Sequence, residues 1–147
     1  MAEHVVPIDV LMDWEPQTPD AVLLSSDAGR TVLALNPHPD DADRRCVALV
    51  WQGSQWSSLR GGPAATHGLY EHGLQDVLGV GVVRQSHRVR ELAWRSDGEL
   101  VHHIVRLADR TAEVVAELLS VQRVAGSTAV AAMTALGEAD AAAQSQE

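Results

Sequence analysis

The chain contains no lysine and no phenylalanine, and cysteine occurs once. A single thiol cannot close an intramolecular disulfide or build a cysteine-rich zinc site. Aromatic side chains are few, four Trp and one Tyr. Long apolar runs are missing too. The most apolar stretch covers residues 129–136 and gives way to Gly137, Glu138 and Asp140, far short of the roughly 20 residues that a membrane span needs. The start of the chain lacks the basic residues of a signal peptide and carries Glu3, Asp9 and Asp13 instead, so a cytoplasmic location is expected. Positive charge is also in short supply. Eleven basic residues, all Arg, face 20 acidic ones for a net charge of -9. The excess sits at the ends: five acids and no Arg in residues 1–20, three acids and no Arg from Gly126 onward. Such a balance speaks against nucleic acid or an anionic membrane as partner.

What is present is enough for one domain. The chain has 147 residues, 46% of them hydrophobic, which suits a single compact core and not two. Ala, Val, Gly and Arg abound while Ile and Asn are scarce, the bias of a GC-rich bacterial genome. Residues 1–125 are expected to form the domain. Residues 126–147, rich in Ala, Ser, Gln and Glu, read as a frayed or disordered acidic tail.

Short apolar runs separated by turn residues predict strands. They cover 31–35, 46–51, 55–60, 80–83 and 99–107, with weaker candidates in 5–11 and 21–25. The Asn36-Pro37-His38-Pro39 stretch cannot extend a strand, because proline removes a donor and fixes the backbone. A short helix is expected within 66–77, weakened by Gly68 and Gly73. Ser86 is placed to cap a second helix over 87–95. Residues 111–124 fit both periods. As a strand they would pair with 101–107 and bury both partners, with Glu113 and Glu117 outward, and that reading is favoured. The fold class expected is α+β: an antiparallel sheet with two short helices on one face.

Three histidine groups and two tryptophans hold the candidate chemistry. His67 and His72 are five residues apart, which turns their rings away from one another on a helix, unlike the four-residue spacing of metalloprotease helices. Tyr70 lies between them. His102 and His103 are adjacent on a strand and so point to opposite faces. His103 shares its face with Val101, Val105 and Leu107, as a core histidine or as an acid or base lining a pocket. Trp51 and Trp56 flank a turn, as core caps or as a binding platform. Arg84, Arg88, Arg90 and Arg95 surround the second helix, interleaved with Glu91 and Asp97, and read as a solvated face.

His38-Pro39-Asp40-Asp41 after a strand resembles the His-Pro-Asp-Asp motif of zinc-dependent GlcNAc-type N-deacetylases. That resemblance implies His38 and Asp41 as metal ligands and Asp40 as the base that activates a zinc-bound water. It covers little beyond the motif. The family's glycine-rich helix start is replaced by Ala42-Asp43-Arg44-Arg45, and the nearest substitute for its distant His is His102-His103, on a strand without the expected surroundings. The likeness is read as coincidental, and the string as a proline-stiffened surface loop. A second, looser resemblance runs from Gly61-Gly62-Pro63 through His67, Leu69-Tyr70 and Gly73-Leu74 to Val82-Val83. It is to a family of small bacterial proteins without an established activity. It implies a helix and then an antiparallel hairpin, and brings no function.

The function expected is that of a small ligand- or partner-binding accessory domain, needing no metal and no cofactor. His72, Trp51 and Trp56 would line the site beside His67, Tyr70 and His103. The alternative is a small cofactor-independent enzyme with His67 or His103 as general base and Tyr70 as acid or oxyanion donor. Hydrolysis through the His38–Asp41 string is the third reading. A homodimer formed through unpaired sheet edges is also expected.

Overall fold

Val, Leu and Ala recur here in short alternating runs closed by Gly, Pro or Asp, the pattern of half-buried strands. The computed structural model describes residues 3–10, 14–15, 20–61, 79–108 and 110–145. Within them lie β1 (His4–Ile8), β2 (Val22–Ser25), β3 (Arg30–Leu35), β4 (Cys46–Gln52), β5 (Trp56–Gly61) and β6 (Gly79–Arg84). Helix α1 (His87–Leu92) follows and runs into a 3-10 turn (Ala93–Arg95). Then come β7 (Val101–Arg106), β8 (Arg110–Ala116), β9 (Leu118–Val124) and α2 (Thr128–Ser145).

All these strands pair antiparallel, and they form two sheets rather than one. The five-stranded sheet has the order β1-β6-β7-β8-β5, and the four-stranded sheet β2-β3-β4-β9. The molecule is mainly β with some helix, loosely compatible with the α+β class expected. The helices do not share a face. α2 covers the outer side of the four-stranded sheet, and α1 lies against β7 of the other.

Two strand pairs carry the chain from one sheet to the other. β4 passes into β5 through residues 53–55, and β8 into β9 through Glu117 alone. Backbone bonds continue across this corner, from Gln55 N–H to the Val115 carbonyl at 2.8 Å and from Glu117 N–H to the Gln52 carbonyl at 3.0 Å. Gly53 turns there at φ 66°, where a Cβ would also meet the Glu117 side chain at 2.6 Å.

The facing sides of the sheets enclose the main core. Leu33, Leu35, Val47, Leu49 and Trp51 of one sheet meet Val80, Val105, Ala112 and Val114 of the other. Full burial of each Leu or Val side chain stabilises by roughly 1.5–3 kcal/mol.

The segment expected as a disordered tail is helical. Its alanines have the highest intrinsic helix propensity, and three of them have a place to go. Ala131, Ala132 and Ala135 are fully buried against Val32, Ala34, Ala48 and Val50. Ser127 Oγ accepts from Val130 N–H at 3.2 Å at the helix start. Thr128 donates to the Asp20 carbonyl at 2.6 Å, and Ser26 to Asp140 at 2.9 Å. Small side chains let this helix sit close to the sheet, a gain that composition alone does not reveal. The helix expected within 66–77 lies outside the described residues. Among the described residues no helix is long and apolar enough to cross a membrane.

Candidate functional site

The β7–β8 hairpin sets the site. Its register places His102 opposite Val115 and Ile104 opposite Glu113. His102 and Glu113 are therefore diagonal neighbours on the outer face of the five-stranded sheet, within reach of long side chains. β5 adds Trp56 opposite Val115, Ser58 opposite Glu113 and Arg60 opposite Thr111. The outer face thus gathers polar groups, while the inner face is mostly apolar around the buried His103.

A continuous hydrogen-bond chain crosses this face. Ser86 follows β6 and caps α1, its Oγ accepting from Val89 N–H at 3.2 Å. Ser86 Oγ lies 2.7 Å from His102 Nδ1, and His102 Nε2 lies 2.9 Å from Glu113 Oε1. The carboxylate accepts from Nε2–H. Nδ1 is then the acceptor for the serine hydroxyl, which fixes the tautomer through the network. All three residues are buried, at 5%, 2% and 3% exposure. The Trp56 ring stands edge-on to His102 with centroids 6.0 Å apart. The Arg88 guanidinium lies over Trp56, 3.8 Å from its centroid, a cation–π contact.

Above this chain is a cavity of about 240 Å³. His102, Glu113 and Trp56 line it together with Arg60, and α1 contributes His87, Arg88 and Glu91. Glu3 completes the lining. Its carboxylate accepts from His87 N–H at 3.1 Å and stands 3.7 Å from His87 Nδ1. Ser86 is not part of the lining. Its hydroxyl is engaged both by the helix cap and by His102.

The residues nominated from sequence are divided by the fold. Trp51 and His103 come together, but in the core between the sheets: Trp51 Nε1–H donates to His103 Nδ1 at 3.2 Å. Burial, and secondarily His102, holds the His103 pKa down at about 4. Trp56 lines the outer cavity, on the other side of the sheet from them. His67, Tyr70 and His72 lie outside the described residues. The Arg group around α1 disperses, with Arg88 on Trp56, Arg95 over Trp94 and Arg90 on Gln85.

The His38–Asp41 string is a tied surface loop. Asp41 accepts from Asp43 N–H at 2.9 Å and pairs with Arg123 at 2.5 Å, and these two bonds, in that order, lower its pKa. Asp40 N–H donates to His38 Nδ1 at 3.2 Å, and Arg44 donates to the His38 and Asp41 carbonyls. Among the described residues no three His, Cys, Asp or Glu side chains are grouped to hold a metal ion.

Sequence reasoning weighed His102 beside His103 but placed neither His102 nor Glu113 in the site. The signal was there: on a hairpin with Glu113 outward, the histidine facing away from the core is His102 and not His103. Glu3 and Arg60 carried no such signal. No family model matches the chain, and neither a curated protein nor a solved structure does.

Proposed function

We propose that the chain is a binding module for a small polar molecule, with the outer-face cavity as its site and no chemical step of its own. The observation that carries this reading is the floor of the cavity. His102 has both ring nitrogens engaged, one by Ser86 and one by Glu113. A ring bonded on both sides is a rigid, pre-set surface, and it has no nitrogen left to move a substrate proton. Trp56 supplies an aromatic wall, and Arg60 and Arg88 supply donors, the usual make-up of a small-molecule site. The volume of about 240 Å³ is below the roughly 300–1,000 Å³ of pockets for drug-sized ligands, so the ligand is a small metabolite.

Nuclear magnetic resonance on the labelled chain tests this with a panel of small polar metabolites of every charge type. The expected result is that binders shift the Trp56 indole N–H and the amides of His102 and Glu113. Shifts confined to other parts of the molecule, or none with any compound, would overturn the reading.

A further inference from the structure

The charged groups around the cavity differ in how far they are already occupied. Glu113 is buried and bonded to His102. Glu3 is held by the backbone and ring of His87. Arg60 and Arg88 form no ion pair with any described residue, although Arg88 is fixed in place by Trp56. Glu91, exposed on α1, forms none either. The groups left to meet a ligand are therefore two guanidinium ions and one carboxylate.

The same sheet face also holds two hydroxyls that lie outside the cavity lining. Ser58 Oγ and Thr111 Oγ1 are buried without a hydrogen-bond partner among the described residues. Ser58 is opposite Glu113 and Thr111 is opposite Arg60 in the β5–β8 register.

Resting on the binding role proposed above, we infer that the cleft takes a small zwitterion, an α-amino carboxylate of free amino-acid type. Its carboxylate faces Arg60 and Arg88, whose planar forks match it bidentately. Its ammonium faces Glu91. A phosphate dianion suits the site less well, because three glutamates line the same cavity. The net charge of -9 likewise opposes a polyanion.

The test titrates the full chain with free amino acids, their N-acetyl derivatives and their amides at neutral pH and low salt. The Trp56 indole signal, assigned by its loss in Trp56→Phe, is the readout. Free amino acids should shift it saturably, and both derivatives should bind at least about tenfold more weakly, a difference of about 1.4 kcal/mol. Arg88→Gln and Arg60→Gln should each weaken the free amino acid by a similar factor with the urea midpoint unchanged. Glu91→Gln should erase the preference over the N-acetyl form. Equal binding of the N-acetyl derivatives, or of the amides, would overturn the zwitterion. Should other small metabolites move Trp56 while no amino acid does, the ligand class falls and the binding role stands. Should nothing move it, both fall.

Discussion

His103 should make the stability of this protein sensitive to mild acid. The ring is 8% exposed in the core between the sheets, and its pKa is lowered from 6.5 to about 4, first by burial and then by His102. The folded chain therefore prefers the neutral ring. Below pH 6.5 the unfolded chain takes up a proton that the folded chain refuses until about pH 4. Stability from this residue is complete above the unfolded pKa and is lost as pH falls through the folded one. The displacement corresponds to about 3 kcal/mol, a large share of the roughly 5–15 kcal/mol that holds a domain together. Asp43 works in a different window. Its carboxyl is held at about 2 by Arg45, so its contribution is present above pH 3.8 and is lost as pH falls toward that lower value. Urea unfolding at intervals from pH 7 to pH 4 should show the decline, with the His103→Gln chain as the control. Glutamine keeps an acceptor for Trp51 Nε1–H and does not titrate. The parent should lose about 3 kcal/mol more than the variant across that range. Equal losses in the two would refute the reasoning.

Three further outcomes are expected. His102→Leu and Glu113→Leu should each destabilise by about 3–5 kcal/mol, because each strands a buried polar partner, while the double replacement should lose far less than the sum. Additive losses in chemical denaturation would show that the two do not act as a pair. Gln85 has φ 57° directly before the Ser86 cap, and Gln85→Gly should raise stability by about 1 kcal/mol by removing that strain, read by calorimetry as a higher Tm. Ala135 is fully buried on the sheet-facing side of α2, so Ala135→Asp should cost about 3 kcal/mol or more. An unchanged urea midpoint would mean that α2 is not docked.

The strands were legible in the sequence because their hydrophobic alternation is strong and their ends carry turn residues. The runs at 31–35, 46–51, 80–83 and 99–107 all became strands, and Ser86 caps a helix as its position suggests. The strand reading of 111–124 holds with one interruption, at Glu117. The division into two sheets was not legible. It depends on where β4–β5 and β8–β9 bend, and a bend at residues 53–55 looks locally like an ordinary hairpin turn. α2 was missed for another reason. A helix whose buried face is alanine has little hydrophobic contrast between its sides, so nothing in its pattern announces burial. The site was half visible. Trp56 was nominated, but its partner is His102, and the choice between His102 and His103 turns on which side of β7 faces the second sheet. That is a property of the whole fold.

The corner at Glu117 ties the outer-face cavity to the far layer. The strand that bears Glu113 continues without a loop into β9, which lies alongside β4, next to the strands that α2 covers. Local opening of one layer alone would have to break a backbone ladder that runs through both. Amide protons of β5, β8, β4 and β9 are therefore expected to exchange through one shared opening event. The face that carries the cavity is then expected to loosen only together with the whole molecule.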